Sequence, residues 1–243
     1  MQSSRIADFA CWLGIAGLVT FFAAPALIQL GVLESFVGFR IFLLGALAGL
    51  LALLLGLIGL YLTRPAAYRE GRGRALLGTV LGALVVGATL AAAGSGAGVP
   101  PINDITTNPD DPPAYAAALE DPANQGRDMS YPGADFAAQQ RVGYPDLAPF
   151  EVAMPPSQVL ERASTLFDSF GWAVSRVDPA NGTIEGTETS KIFLFVDDIV
   201  VRVRPSATGS TVDMRSKSRV GKGDVGANAA RIRKLRDALT QGQ

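Results

Sequence analysis

A basic run near the C-terminal end contains the first residues whose types and spacing could do chemistry. Its four cations are Arg215, Lys217, Arg219 and Lys222. A helix is predicted to start just after them, and the free amides and positive dipole end of a helix N-terminus attract anions. Glycines at positions 221 and 223 would let a phosphate or a lipid headgroup approach the backbone. The run therefore predicts an anion-binding turn.

The same turn also has a structural interpretation. The glycines would shape it and Asp224 would cap the helix. Arg219 and Lys222 would then pair with acidic residues from earlier in the chain. A Walker phosphate loop is excluded, because its upstream glycine is missing and Lys222 is followed by glycine. An aspartate at the cap competes with a bound anion, which favours the structural interpretation.

A set of four carboxylates is the second candidate: Glu185, Glu188, Asp197 and Asp198. Paired carboxylates perform acid–base catalysis or bind calcium. Strand parity places Glu185 and Glu188 on opposite faces of a sheet, and two adjacent aspartates fit a turn. A hydrolase or transferase using these groups would need all four in one concave pocket, so a structural role is the stronger interpretation.

Other common catalytic and metal sites lack their residues. The chain has no histidine, which removes Ser–His and Cys–His nucleophile pairs and most zinc sites. Its one cysteine, Cys11, lies in an apolar run and cannot form a disulfide within the chain. An oxygen-rich loop lacks the spacing and the terminal glutamate of an EF-hand. That loop contains Asn103, Asp104, Asn108, Asp110 and Asp111. We predict no catalytic residue, no metal and no cofactor.

Three apolar runs precede these residues, at 6–33, 41–62 and 75–99, and only the first contains a charge, Asp8. A helix needs roughly 20 apolar residues to cross the hydrocarbon core, so each run is long enough. Buried helices of a soluble protein are the weaker alternative, because uncharged runs of this length are typical of membrane spans. We predict a three-helix transmembrane anchor over residues 1–99.

The connecting charges predict the orientation of the anchor. The loop 63–74 carries four arginines against one glutamate, whereas 31–40 holds one acid and one base. The positive-inside rule places the first loop and the N-terminus in the cytoplasm, and residues 100–243 on the far side. A cleaved signal peptide is the alternative for the first run. We expect retention, because Ala24-Pro25-Ala26 is a poor cleavage context.

Glycines spaced four apart, at 45/49 and 78/82, predict close helix contacts. Packing among the three helices is favoured over a dimer interface.

After the anchor, residues 100–155 are rich in proline and also carry many apolar side chains. Proline at this density opposes long helices. We expect an extended segment packed on the domain, with a short helix over 112–119 that Asp111 caps.

Residues 156–243 predict the soluble α+β domain. An apolar face at helical spacing starts at Pro156 and stops at Gly171. Strands are predicted over 172–177, 183–187 and 211–216, with Asp178–Gly182 as a turn. Residues 191–204 form either one long strand or a hairpin at Asp197-Asp198. We favour the hairpin, because a continuous strand would bury one aspartate at a cost.

The returning strand would set Arg202 beside Asp213 as an ion pair. The last helix is predicted to start at Asp224, with Arg231, Arg233 and Lys234 pointing away from its apolar face. That face consists of Val225, Ala229, Ile232, Leu235 and Leu239. The predicted fold is a membrane-anchored α+β protein: three transmembrane helices, then a helix, an antiparallel meander of four to five strands and a final helix.

Several blocks in this order resemble the domain-of-unknown-function family 1499. They are Asn103–Thr107 with Asp111-Pro112-Pro113, Tyr144–Leu147, Gly171-Trp172, Glu185–Thr189, Phe195–Asp198, and Asp213–Gly221 with Asp224 and Gly226-Ala227-Asn228. The resemblance covers roughly residues 100–240. It implies a multi-pass protein of the bacterial inner membrane whose soluble domain is periplasmic, and it implies no catalytic residues.

Charge is distributed unevenly along the soluble region. Residues 100–198 hold 5 basic and 16 acidic side chains, whereas 199–243 hold 10 basic and 3 acidic. The basic residues lie outside the cytoplasm in the predicted topology and no stacking aromatics are interleaved with them, so nucleic acid is not an expected partner. We predict a non-catalytic binding or structural module of the cell envelope. Its expected partners are the lipid bilayer and an envelope protein or an anionic lipid headgroup.

Overall fold

The computed structural model describes residues 3–65, 69–93 and 98–241. Parts of the predicted 63–74 loop, of the third span and of the extreme C-terminus lie outside these ranges. The chain divides into two compact units. One comprises Met1–Ser95 with Lys191–Leu194, and the other comprises Gly96–Ser190 with Phe195–Gln243.

The first unit contains three long helices: α1 Arg5–Gln29, α2 Ser35–Leu62 and α3 Arg72–Ala93. All three are long and apolar enough to cross a membrane, as predicted. Helix α1 ends four residues before the end of its apolar run, because the chain turns at Gly31, whose φ is +70°. Helix α2 starts before its uncharged run and includes Arg40.

Glycines lie where these helices approach each other most closely. A Cβ at Gly45 would come within 2.7 Å of the backbone nitrogen of Phe21 in α1. One at Gly78 would come within 2.7 Å of the Ala10 carbonyl carbon, also in α1. The glycines at 49 and 82 are crowded in the same way between α2 and α3. The predicted small-residue pairs therefore serve packing among the three helices of one chain.

The second unit is built on an antiparallel sheet with the order β1-β6-β5-β4-β3, in which β2 also pairs with β6. The strands are β1 Asp104–Thr106, β2 Phe150–Val152, β3 Ala173–Asp178, β4 Thr183–Thr189, β5 Val196–Ser206 and β6 Gly209–Ser218. Strands β3 to β6 form the predicted meander. Two short strands from the proline-rich region, β1 and β2, pair with β6 in addition and raise the total to six.

Two helices cover one face of this sheet, α6 Pro156–Phe170 and α7 Ala227–Thr240. Helix α6 ends at Gly171 in the left-handed conformation (φ +76°), as predicted. Side chains of both helices and of the sheet form one core, which includes Val159, Phe167, Ile184, Ile199, Val201, Met214, Ile232 and Leu235. Ile102, Ile105, Tyr144, Leu147 and Val152 belong to the same core, so it extends to residues before Pro156.

The favoured hairpin at Asp197-Asp198 was wrong. Strand β5 runs continuously through both residues, and they pair with Ser218 and Lys217 of β6. The two carboxylates point to opposite faces and both are buried. The desolvation cost that argued against a strand is offset, because each carboxylate has an arginine partner from a distant part of the chain. The predicted pair of Arg202 and Asp213 is confirmed, with Nη2 2.9 Å from Oδ2.

Two helix predictions also need correction. The short helix α4 is Ala117–Glu120, not 112–119, because the carboxylate of Asp111 is held by Arg202 instead of capping a helix. Helix α7 begins at Ala227 rather than at Asp224, so Val225 precedes it and is 58% exposed, whereas Arg231, predicted to point away, is 6% exposed. Helix α5, Ala134–Gly143, was not predicted.

Candidate functional site

Strand β6 and the residue directly after it place three of the four predicted anion-binding cations on one face of the sheet. Alternate strand residues point the same way, so Arg215, Lys217 and Arg219 face away from the core that α6 and α7 cover. The chain around 113–131 covers this side, where Tyr115, Ala118 and Met129 pack on Val200. We call this side of the sheet the charged face, and the side under α6 and α7 the helix face.

Asp104 holds two of these cations. Its carboxylate accepts hydrogen bonds from Arg215 Nε at 2.8 Å and Nη2 at 2.7 Å, and from Lys217 Nζ at 2.8 Å. The side chains of Asp104 and Arg215 are 0% and 3% exposed. Burial lowers the pKa of Arg215, but the hydrogen bond and charge of Asp104 outweigh it and keep that pKa above its usual value. Arg215 also donates to the carbonyls of residues 113 and 129, so its donors are used within the protein.

Arg219 is engaged in the same way by Asp198. Its Nη2 lies 2.6 Å from Asp198 Oδ1 and 2.6 Å from Asp121 Oδ2. Burial lowers the pKa of Arg219, but the contacts with these two carboxylates raise it above its usual value. Both partners of Arg219 come from the acidic part of the chain, residues 100–198, as the structural interpretation of the turn predicted.

Lys222 is separated from the other three cations. It is exposed in the turn after β6, and within the described ranges no ion pair or hydrogen bond involves its ammonium group. Asp224 accepts hydrogen bonds from the amides of Gly226 at 2.9 Å and Asn228 at 2.7 Å, so its carboxylate binds amides at the start of α7, whose cap residue is Gly226. Burial raises the pKa of Asp224.

The sheet divides the four predicted carboxylates into two pairs. Glu185 and Asp198 lie on the charged face, where Glu185 accepts hydrogen bonds from the amides of Ala116, Ala117 and Ala118 and thereby caps α4. Asp197 and Glu188 are opposite each other on the helix face. The four groups do not converge on one cavity, which removes the arrangement that a carboxylate-dependent hydrolase or transferase required.

Arg231 occupies the centre of the helix-face pair. Its Nη2 lies 2.7 Å from Asp197 Oδ2, and its Nε donates to Glu188. Its Nη1 donates to Ser216 Oγ at 2.7 Å and Asn228 Oδ1 at 2.6 Å. All these donors are used inside the protein, so this cluster joins α7 to the sheet and leaves no group directed at a ligand.

The oxygen-rich loop is used for similar internal contacts. Asp110 pairs with Arg141 at 2.7 Å, and Asp111 pairs with Arg202 at 2.8 Å and with Arg204 at 3.1 Å. Within residues 3–65, 69–93 and 98–241, no group of three or more Asp, Glu or Cys side chains is placed to hold a metal ion.

An open cleft of about 510 Å³ lies over the charged face. Its lining includes Tyr115, Leu119, Arg127, Met129, Tyr131 and Arg215. The Arg215 guanidinium lies 4.8 Å from the Tyr115 ring centre and 5.6 Å from that of Tyr131, within the range of cation–π contacts. The cleft therefore combines aromatic rings, apolar side chains, two arginines and the carboxylate of Asp128.

Both tyrosines of the cleft stay protonated at neutral pH. Burial raises the pKa of Tyr115 well above its usual value and that of Tyr131 to about 12. Tyr115 donates its hydroxyl proton to the Asp198 carbonyl at 3.1 Å, and the Tyr131 hydroxyl lies 3.4 Å from Gln140 Oε1. Tyr115 is 4% exposed, so of the two rings it is that of the half-buried Tyr131 that a ligand can contact.

Arg127 is the cation of the cleft that is least compensated. It donates to Asn124 Oδ1 and, at 3.0 Å, to the Ser218 carbonyl, while Asp198 Oδ2 is 3.7 Å away. Its side chain is 23% exposed. Burial lowers the pKa of Arg127 below its usual value, and the charge of Asp198 does not offset this. Sequence reasoning missed Arg127, because it stands alone in a proline-rich stretch whose partners are distant in sequence.

A family model described as "Protein of unknown function (DUF1499)" matches residues 104–239. No curated protein and no solved structure matches the chain.

Proposed function

Because the chain belongs to the DUF1499 family, whose function is unknown, we propose a role from its geometry: a multi-pass protein of the bacterial inner membrane that presents a non-catalytic periplasmic binding domain. The cleft over the charged face binds an anionic component of the cell envelope. The three apolar helices form the membrane anchor.

The state of Arg127 within the cleft carries this proposal. Arg215 and Arg219 have carboxylate partners that keep their pKa values raised, whereas the pKa of Arg127 is lowered by burial. A bound carboxylate or phosphate would add negative charge to that of Asp198, which lies 3.7 Å from Arg127, and would accept charge-assisted hydrogen bonds. An arginine has five N–H donors, and the described contacts of Arg127 use two of them.

The rest of the lining specifies the body of the ligand. Tyr131 and Met129 offer aromatic and sulfur contacts, and Leu119 is 58% exposed at the edge. The cleft volume lies within the range of roughly 300–1,000 Å³ for small-molecule sites. The ligand therefore combines one anionic group with an apolar part, as the headgroup and the adjoining acyl chains of an anionic lipid do.

The predicted anion-binding residues contribute unequally to this site. Arg215 lines the cleft, but its donors are used by Asp104 and two carbonyls, so it supports the aromatic wall. Lys217 and Arg219 lie beside it in ion pairs. Lys222 is exposed in the turn and remains available for a separate, weaker attraction of anions.

Binding is tested with the full chain in phosphatidylcholine nanodiscs. Dihexanoyl phosphatidylglycerol, dihexanoyl phosphatidylcholine and glycerol phosphate are titrated by calorimetry. We expect binding of the first, no binding of the second, and weak binding of the third if the headgroup alone is recognised. Arg127→Gln should weaken binding about tenfold, the effect of losing one charge-assisted hydrogen bond.

Two further variants separate binding from folding. Leu119→Glu adds an opposing charge at an exposed edge residue of the cleft and should also weaken binding. Val142→Glu, at a residue 86% exposed on α5, is the matched control and should bind like wild type. Absence of wild-type binding, or wild-type affinity in both Arg127→Gln and Leu119→Glu, would overturn the assigned cleft.

The location is tested with a fusion of alkaline phosphatase after the last residue. The arginine-rich loop 63–74 supports a periplasmic C-terminus, where this enzyme folds and is active. A stable but inactive fusion would contradict the orientation.

A further inference from the structure

The segment between β4 and β5 belongs to the same compact unit as the transmembrane helices. It comprises Lys191–Leu194, whereas the strands on either side belong to the other unit. Three consecutive apolar residues follow the lysine, and Ile192 is 59% exposed. An isoleucine exposed to this extent is unfavourable in water but not in contact with lipid.

The backbone carbonyls of this segment are satisfied by residues at helix ends. Gln29, the last residue of α1, donates from Nε2 to the carbonyls of Lys191 at 2.7 Å and Ile192 at 3.0 Å. Ser35, the first residue of α2, donates from Oγ to the Leu194 carbonyl at 3.3 Å. Irregular backbone is tolerated near the hydrocarbon only where protein groups satisfy it, and these bonds do so.

Aromatic contacts fix the position of the segment along α2. The ring centre of Phe193 lies 5.0 Å from those of both Phe39 and Phe42, edge to face in each case. Leu194 has a φ of +52°, a conformation that a residue with a Cβ adopts only where its surroundings impose it. The segment is therefore held in one defined place against the start of α2.

The sequence of α2 sets the depth of that place. Its uncharged run from Ile41 to Leu62 is about 33 Å long at 1.5 Å per residue, close to the roughly 30 Å of a hydrocarbon core. Arg40 precedes this run, and a charged residue lies at or outside the boundary. Phe39 and Phe42 lie on either side of the point in α2 where Arg40 gives way to the uncharged run. Phe193, which contacts both, therefore lies at the boundary between hydrocarbon and headgroups.

We propose that Lys191–Leu194 is a membrane-interface anchor whose partner is the lipid bilayer. Ile192 contacts the outer part of the acyl chains, and the Lys191 ammonium group lies among the phosphates of the headgroups. The segment gives the chain a fourth membrane contact in addition to the three helices. The proposal rests on insertion of those helices and does not depend on the cleft.

Depth-dependent fluorescence quenching tests this anchor in the full chain. Cys11 is the only cysteine, so Cys11→Ala provides a background for single labels. Ile192→Cys is labelled with an environment-sensitive nitrobenzoxadiazole probe and reconstituted into phosphatidylcholine vesicles with lipids spin-labelled at acyl carbon 5. We expect blue-shifted emission and severalfold stronger quenching than for Val142→Cys, an aliphatic residue 86% exposed in the other unit.

A label at Phe22→Cys distinguishes failure of the interface anchor from failure of the helices to insert. Phe22 lies within α1 and is 61% exposed. If this label is quenched and the label at 192 behaves like that at 142, the interface anchor is overturned. If the label at 22 is also unquenched, the helices are not inserted and the anchor is overturned together with its premise.

Discussion

The two faces of the sheet are stabilised in different ways. The helix face is a packed apolar core under α6 and α7 that contains one buried arginine cluster around Arg231. The charged face has a small apolar patch at Val200 and is otherwise stabilised by ion pairs around Asp104 and Asp198. Both faces are buried, and an open cleft lies over the charged face.

The contrast shows where the domain retains polar groups that a ligand could use. Buried apolar side chains need no specific partner, whereas each buried charge needs a partner of opposite sign. On the helix face every described donor of Arg231 has an acceptor, and two carboxylates, Glu188 and Asp197, supply the opposite charge. On the charged face Asp104 and Asp198 serve several cations, and Arg127 is the one left least compensated.

The largest effect is expected from Asp104→Asn on the charged face. The change leaves Arg215 and Lys217 buried without a counter-charge, which costs about 3–5 kcal/mol of unfolding free energy. The measurement is urea unfolding of the full chain in detergent, followed by Trp172 fluorescence with Trp12 replaced by Phe. Asp110→Asn, at a side chain 85% exposed, should change stability by less than about 1 kcal/mol. Equal effects of the two changes would contradict the role of Asp104.

A cavity on the helix face should cost less. Leu235 of α7 is 0% exposed, and Leu235→Ala should lower the unfolding free energy by about 3 kcal/mol through lost burial and a residual void. The same urea titration measures it, and Leu119→Ala, at a leucine 58% exposed, is the matched control. If Leu235→Ala exceeded Asp104→Asn, packing rather than ion pairing would be the more sensitive feature of the sheet.

The same contrast explains what the sequence could predict. The elements on the helix face follow from residue patterns that repeat every few positions in the sequence. The apolar face of α6, the stop at Gly171 and the meander were therefore predictable. Partners on the charged face lie far apart in the chain: Asp104 and Arg215 are 111 residues apart. No local pattern pairs them, so the buried Asp197-Asp198 strand and the exposure of Arg127 could not be read from the sequence.

Lys217→Met should distinguish the roles within the Asp104 cluster. The Lys217 side chain is 11% exposed, and its ammonium group donates to Asp104, which keeps its two bonds from Arg215. Removing this cation leaves one carboxylate with one guanidinium, and methionine preserves the apolar stem. We expect a change within about 1 kcal/mol, far below that of Asp104→Asn. A loss as large as for Asp104→Asn would mean that all three charges act as a single unit.

The smallest effect belongs to Asp121 at the edge of the charged face, and it should depend on pH. The pKa of Asp121 is lowered first by the hydrogen bond from the Ala123 amide and then by Arg219. A carboxyl whose folded pKa lies below its unfolded value of 3.8 stabilises the fold above that pH. This stabilisation is lost as the pH falls through the folded pKa.

Asp121→Asn should therefore cost up to about 1 kcal/mol at pH 7, because the side chain is 35% exposed and screened by solvent. The difference from wild type should shrink as the pH falls below 3.8. Asp224 provides the opposite sign: burial raises its pKa, so its contribution is greatest below 3.8 and is lost as the pH rises through the folded pKa. Urea midpoints of both asparagine variants measured across this range would separate an ion pair at the charged face from a buried cap at the helix face. Parallel pH profiles for the two variants would contradict that distinction.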